Sequence, residues 1–459
     1  MSQQNKAVQT HNVDNIIDSS PLSKVQWKVI ILCFLLAMID GFDVQSIGYV
    51  GPILTDQLSI PHDVMGQIYS AAYIGLMIGA LIGSPLADKI GRKPIILFSV
   101  LIMGIFSFAT SFASSTTEFF IFRFLTGVGL GGVMPNINIL TAEFSPERKR
   151  ATLMTVMFVG FPMGIMVGGI AAAKLIAVFG WQSVFIVGGI LPAIILPVLW
   201  FMLPESPRFM ALKQKNKKSL SKILNQISPK LKTTPYDIFV SEGHNKVGSI
   251  KALFENSRTK MTLLLWLICL CNFLSIYGVI GWLPSLLKEA GFPLEKAIIA
   301  TVIFSFGGVF GGLLIGYLMD KYNRIKVVTF GFAFATLSVA MIGQTTMYLP
   351  LLLIILFLAG ISALGTQFGL NAVISNSYGT SSRSTGLGWA LAIGRLGAVV
   401  GPILVGIALT NEISVDSLFL LGALPLFVAT LAIMLVGKQI KKSEKMQSKN
   451  IHDTGHTCT

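Results

Sequence analysis

This sequence is poor in charge. Only 12% of its 459 residues are Asp, Glu, Lys or Arg, and 53% are hydrophobic; soluble domains carry roughly 25% charged residues. A water-soluble globular fold is excluded on that balance. Cysteine is scarce as well: Cys33, Cys269, Cys271 and Cys458 are scattered, and Cys269 and Cys271, two apart, would sit on nearly opposite faces of a helix, so no disulfide framework follows. None of the five histidines (His11, His62, His244, His452, His456) falls inside a long apolar run. His452, His456 and Cys458 read as a polar terminus rather than a metal site. There is no G-x-x-x-x-G-K-[ST] loop and no H-E-x-x-H, so ATP-driven pumping and membrane zinc proteolysis lack their residues. The first 26 residues are polar and include Asp14 and Asp18, without the apolar core of a cleaved secretory signal.

What is present is a succession of apolar runs long enough, as helices, to cross about 30 Å of hydrocarbon. They cover approximately 27–55, 66–87, 94–113, 118–143, 151–177 and 182–203, then 261–287, 297–319, 327–347, 349–376, 385–410 and 416–437. The expected fold is therefore all-α and integral to a membrane, with twelve spans in two groups of six. Flanking them are a tail of residues 1–26, a polar stretch of 204–260 and a tail of 438–459. A β-barrel would instead show segments of about ten residues with alternating polarity.

The formal net charge of +14 would, in a soluble protein, raise nucleic acid as a partner. Its location argues otherwise. Lys174, Lys288 and Lys296 flank the spans on one side and Arg123 and Arg395 lie within them; every other Lys and Arg falls on the opposite side or in the tails. By the positive-inside rule that side is cytoplasmic, with both termini. Residues 204–260 form its basic loop, including Lys213, Lys215, Lys217, Lys218, Lys222, Lys230, Lys232 and Lys246. Within it, 212–227 has the pattern of an amphipathic helix lying on the lipid surface.

The two groups of six repeat. GSPLADKIGRK after the second span corresponds to GYLMDKYNRIK after the eighth, which pairs Asp88 with Asp320; Arg150 and Arg383, before the fifth and eleventh spans, stand apart by the same interval to within a residue. Duplicated six-helix units with parallel repeats build transporters. The run Gly127-Val128-Gly129-Leu130-Gly131-Gly132 looks like a dinucleotide loop but lies inside an apolar helix with no strand before it. Close helix packing explains it, as it does Gly75, Gly79 and Gly83.

Four charges sit deep in the spans: Asp40 and Asp43 in the first, Arg123 in the fourth, Arg395 in the eleventh. Each costs roughly 2.5–3.5 kcal/mol on insertion scales, so each is read as functional. Asp40 and Asp43, three apart, share one helical face, where two carboxylates resist ionising together. With no histidine in the membrane, carboxylates are the proton carriers available. An Asp43–Arg123 ion pair is feasible if the first and fourth helices are neighbours. Protonating Asp43 would release Arg123 for an anionic substrate, coupling proton and substrate through one switch. On the cytoplasmic rim, Asp88, Arg92, Glu143, Glu147, Arg150, Asp320, Arg324 and Arg383 stand at loop entrances of both halves and form a candidate gate.

Taken together these residues resemble the major facilitator superfamily, through the loop after the second span with its weaker copy after the eighth, Arg123 with its following glycines, and Pro204-Glu205-Ser206-Pro207-Arg208. Within it the chain is similar to the aromatic acid:proton symporter family. That likeness rests on Asp40-Gly41-Phe42-Asp43, Trp282-Leu283-Pro284, Gln367 with Gly369 and Asn371, and Arg383 with Ser384-Thr385-Gly386-Leu387-Gly388-Trp389 and Gly394-Arg395. The resemblance departs at Ser84, where a glycine is usual, and at Tyr378-Gly379, where Tyr-Pro is usual. It implies a monomeric bacterial inner-membrane transporter, not an enzyme, that imports a small aromatic carboxylate such as benzoate, a hydroxybenzoate or vanillate with protons by alternating access, without a cofactor or metal. It also implies roles for Asp40, Asp43, Asp88, Arg92, Arg123, Glu143 and Arg395. The superfamily's cavity is lined by helices 1, 4, 7 and 10, which makes Phe42, Asn136, Asn138, Tyr277, Trp282, Gln367, Phe368 and Asn371 lining candidates, with Arg123 and Arg395 the buried positive charges offered to an anion. The alternatives are a proton-coupled exporter, suggested by Gly160, Gly164, Gly168 and Gly169, and a symporter of a related non-aromatic acid.

Overall fold

In the computed structural model the described residues are 10–229, 231, 233–234, 236–240, 250–255, 258–378 and 382–455. Lys230, Lys232 and Lys246 of the basic loop, Gly379, and the terminal His456 and Cys458 lie outside them.

Among the described residues twelve helices are long and apolar enough to cross a membrane. They are α1 (Lys24–Leu58), α2 (His62–Ile90), α3 (Arg92–Thr110), α4 (Thr116–Phe144), α5 (Glu147–Phe179) and α6 (Gln182–Met202), then α7 (Thr259–Glu289), α8 (Leu294–Lys321), α9 (Arg324–Gln344), α10 (Leu349–Ser377), α11 (Arg383–Thr410) and α12 (Val415–Gly455). The all-α, twelve-span expectation holds, and the helix ends fall within about a turn of the apolar runs except at the end of α12, which continues to Gly455 through most of the residues expected as a tail. Local chemistry sets several of those ends. Ser115 and Glu118 form a reciprocal capping box at the start of α4, and Asn323 caps α9 by accepting from Lys326 N–H at 3.2 Å. Gly91, at φ 116°, makes the turn between α2 and α3.

The chain divides into two units, one within Met1–Val50 and Ala71–His244, the other within Gly51–Ser70 and Asn245–Thr459. In the first, α2 and α4 meet backbone to backbone. A Cβ on Gly75 or Gly79 would stand 2.0 Å from Phe124 O or 2.1 Å from Val128 O, and one on Gly127 or Gly131 would stand 2.1 Å from Ala72 O or 2.2 Å from Leu76 O. The two glycine ladders noted in the sequence are thus two sides of one interface, where only small residues let the helices touch. The second unit repeats the device between α8 and α10, through Gly307, Gly311, Gly360 and Gly365.

The second unit takes in the hairpin of residues 51–70, which joins α1 to α2. Its Tyr69 ring packs edge-on to Trp282 at 4.9 Å, Ser70 Oγ donates to Val399 O at 2.6 Å, and Lys288 pairs with Asp56 and donates to Pro52 O at 3.1 Å. His62 Nε2 faces Glu289 Oε1 at 3.4 Å.

A small annex belongs to the first unit. Strand β1 (Thr10–Asn12) pairs in parallel with β2 (Ile238–Val240), Thr10 opposite Ile238. Asn12 then caps the short helix Val13–Ser19, accepting from Asp14 N–H at 2.9 Å, and Arg208 Nε meets Asp14 Oδ1 at 2.5 Å. The amphipathic helix read at 212–227 begins instead at Lys217, after Asn216 in a left-handed conformation, and runs to Ile227. Its reading as a lipid-surface helix needs correcting. Leu220, Ile223, Leu224 and Ile227 are buried in protein, in contact with the elements that bury Val13, Ile16, Ile17 and Phe209, so the apolar face is already covered.

Candidate functional site

In the first unit the structure brings Asp43 and Arg123 together. Arg123 Nη1 lies 3.1 Å from Asp43 Oδ2 and Nη2 donates to the Asp43 carbonyl at 2.8 Å, both side chains fully buried. Ser107 of α3 donates to the other carboxylate oxygen, Oδ1, at 2.5 Å. The Asp43 carbonyl also accepts from Ser46 Oγ at 2.7 Å, and the Arg123 guanidinium stands 5.8 Å over the Phe185 ring of α6. Three helices besides α1 therefore contribute to one buried charge pair. Such pairs survive desolvation only when their remaining valences are met, and removing one partner of a buried pair typically costs about 3–5 kcal/mol. Arg123 Nε has no hydrogen-bond partner among the described residues.

Two glycines make room for this centre. A Cβ on Gly188 would lie 2.5 Å from Ser107 Oγ and 3.4 Å from Asp43 Oδ1, and one on Gly168 would lie 2.2 Å from the Phe42 ring. Sequence reasoning missed Ser107 and Gly188, whose uncharged side chains give little signal in an apolar run. Gly160, Gly164 and Gly168 pack against Phe34, Met38 and Phe42 of α1, so helix packing accounts for them. Asp40 is buried on the same helix. Asn136 is buried and returns its Nδ2 to Gly132 O at 2.8 Å; neither its Oδ1 nor that of Asn138 has a partner among the described residues.

On the rim of the same unit Arg92 is the hub. Its Nη2 reaches Asp88 Oδ1 at 2.8 Å and Glu143 Oε1 at 3.6 Å, and its guanidinium stands 5.6 Å over the Phe209 ring. Glu205 of the Pro204-Glu205-Ser206-Pro207-Arg208 motif caps α3 by accepting from the backbone N–H of Arg92 at 2.9 Å and Lys93 at 3.3 Å. Glu147 and Arg150 do not join this cluster among the described residues: Glu147 is exposed, its backbone N–H bound to Asp18 at 2.7 Å, and Arg150 reaches Ser145 O at 3.5 Å. In the second unit Asp320, Arg324 and Arg383 are exposed and form no ion pair among the described residues. The repeated rim charges are thus not used alike in the two halves.

The second unit gathers amides. Asn272 of α7 donates from Nδ2 to Gln367 Oε1 at 2.5 Å, and Gln367 donates from Nε2 to Asn371 Oδ1 at 2.9 Å. Asn272 was not read from the sequence. Tyr277 is half-buried and meets Phe273 edge-on at 5.5 Å, Arg395 is half-buried, and Phe368 is 37% exposed. Trp282 is placed differently from a lining residue. It is fully buried, donates from Nε1 to Pro402 O at 2.9 Å and packs against Tyr69. No group of three or more His, Cys, Asp or Glu side chains that could hold a metal occurs among the described residues.

Twelve spans in two groups of six, with a buried carboxylate and guanidinium paired inside the first group, define a multi-pass membrane protein. The family model of the Major Facilitator Superfamily matches residues 33–348 and 265–453, and the chain belongs to that superfamily; it is a transporter, not an enzyme. It is 37% identical over 427 residues to a gallate transporter of Pseudomonas putida, covering 93% of this chain and 95% of that one. It is 35% identical over 437 residues to the 4-hydroxybenzoate transporter PcaK of Pseudomonas aeruginosa, covering 94% and 97%. Among solved structures, the xylose transporter XylE of E. coli in a partially occluded inward-open conformation superposes with a TM-score of 0.68 at 17% identity, over 91% of this chain and 98% of that one. This last likeness concerns the fold alone.

Proposed function

We propose that this protein imports a small aromatic carboxylate, benzoate-like and carrying ring hydroxyls or not, together with protons by alternating access across a bacterial inner membrane, with both termini cytoplasmic. The observation that carries the coupling is the fully buried Asp43–Arg123 pair, with Ser107 on the second carboxylate oxygen. Arg123 and Ser107 occupy the two carboxylate oxygens, so a proton that takes up one of them displaces a donor and breaks the pair. Arg123 would then turn from Asp43 toward the substrate carboxylate, and deprotonation would restore the pair and expel the anion. Asp40, one helical turn away, is the second carboxylate of the relay. Arg395 is the positive charge of the second bundle, and the amides of Asn272, Gln367 and Asn371 are its neutral polar groups. The Asp88–Arg92–Glu143 cluster serves as a cytoplasmic gate. The printed names of the gallate and 4-hydroxybenzoate transporters support the substrate class.

The test is uptake of labelled benzoate, 4-hydroxybenzoate and gallate into proteoliposomes under an imposed inward proton gradient. Accumulation above the equilibrium level that collapses with a protonophore is expected. A gradient that drives these acids outward, or no flux of any of them, would overturn the reading; the first result is what an exporter gives. The glycines of α5, which first suggested that alternative, are occupied in packing on α1.

A further inference from the structure

The amide relay of the second bundle has a direction. Asn272 gives a hydrogen to Gln367, and Gln367 gives one to Asn371, so acceptors are consumed at each step and one is left over at the start of the chain. That acceptor is Asn272 Oδ1, which has no hydrogen-bond partner among the described residues although Asn272 is 0% exposed. A buried amide oxygen without a donor is costly, and native interiors rarely leave one so. The neighbouring positions on α7 do not supply the donor: Ile268, Cys269 and Ile276 are apolar, and Ser275 gives its hydroxyl hydrogen to Gly422 O at 2.6 Å. The partners Gln367 and Asn371 are only half-buried, on a helix whose next residue, Phe368, is substantially exposed. The relay therefore runs from an accessible face of α10 inward to an oxygen that lacks a hydrogen.

We propose that Asn272 Oδ1 is the acceptor for a phenolic hydroxyl of the substrate, so that this bundle selects hydroxylated aromatic acids over unsubstituted ones. The proposal rests on the aromatic-acid reading above and adds to it the residue that senses the ring substituent. The chemistry is specific as to hydrogen: the site needs a donor, and a group that only accepts leaves Asn272 Oδ1 as unsatisfied as before. Gln367 acts as a positioning residue, fixing which way the Asn272 amide is turned. Loss of a single buried hydrogen bond of this kind corresponds to roughly 5- to 150-fold in affinity.

Competition against labelled substrate in proteoliposomes of the full chain tests it. The first arm uses the unmodified protein and a series of acids: benzoate, 3- and 4-hydroxybenzoate, and, at the preferred ring position, the amino, fluoro and methoxy analogues. The hydroxy and amino acids should compete at least about fivefold better than benzoate, the fluoro and methoxy acids no better than it. In the second arm Asn272→Leu, which keeps the volume and removes the acceptor, should erase that advantage, so that hydroxylated and unsubstituted acids compete within about twofold of one another. Gln367→Leu should reduce it in part. Equal affinity of the unmodified protein for hydroxylated and unsubstituted acids overturns the proposal, as does an equal loss for both in Asn272→Leu, the outcome expected if a water molecule fills the site. The first arm decides the matter even if Asn272→Leu does not fold. Failure of every acid, benzoate included, would instead refute the aromatic-acid reading itself.

Discussion

Ser107 Oγ and Arg123 Nη1 hold opposite oxygens of the Asp43 carboxylate, at 2.5 Å and 3.1 Å. One contact is neutral and comes from α3, the other is charged and comes from α4. Removing either therefore tests a different part of the proposed coupling.

Asp43→Asn keeps the shape and one acceptor, for Arg123, turns the other position into a donor that Ser107 Oγ can accept from, and can no longer exchange a proton. Uphill accumulation under a proton gradient should disappear, while exchange of labelled for unlabelled substrate persists at a measurable rate. Undiminished uphill uptake would show that the proton travels by another route.

Gly188→Ala should mimic Ser107→Ala. A Cβ at Gly188 lands 2.5 Å from Ser107 Oγ, so the hydroxyl must swing away from Asp43. Both variants should fold, since the clash is with the end of a side chain, and both should lower the accumulation ratio by a similar factor, of the order of that for one hydrogen bond to a charged group. If Gly188→Ala is impaired and Ser107→Ala is not, the glycine matters for helix packing alone.

Gly79→Ala and Gly316→Ala form a contrasting pair. The first places a methyl 2.1 Å from Val128 O, where both partners are backbone, and should lower the melting temperature in detergent sharply or abolish folding. The second meets nothing within 4 Å and should melt with the unmodified protein. Equal behaviour would remove the α2–α4 contact from the list of what holds the first bundle together.

Glu205→Gln tests the cap of α3. The glutamate accepts from two orphan backbone donors at the positive end of the helix dipole, and the amide would keep the geometry but lose the charge. A loss of about 0.5–2 kcal/mol is expected, read as a lower unfolding temperature; transport per folded molecule should hold.

Much of this was legible in the sequence because the bilayer imposes a length on every span and a penalty on every charge within one. The twelve helices follow from the first constraint, and Asp43 with Arg123 stands out by the second. The two glycine ladders were visible separately, but nothing in a linear pattern says that Gly75 and Gly127 face each other. Ser107 and Asn272 escaped because a hydroxyl or amide in an apolar helix costs far less than a charge and has no periodicity of its own. The rim shows the opposite error. Matched charges at matched positions suggested matched roles, yet Arg92 is tied into a cluster while Arg324 is exposed, because only the first half has Glu143 and the Glu205 segment beside it. The strands β1 and β2 are three residues each and far apart in the chain, too short for alternation to reveal.

Those strands have a consequence for how the molecule is made. Residues 10–12 leave the ribosome before any membrane helix, yet their partner, 238–240, follows all six helices of the first bundle. At about 5–20 residues per second the amino-terminal strand waits on the order of ten to fifty seconds for its mate. The parallel pairing is thus a closing stitch, formed once the first six helices have been synthesised, and it reports in a single contact that the first half of the protein has been completed.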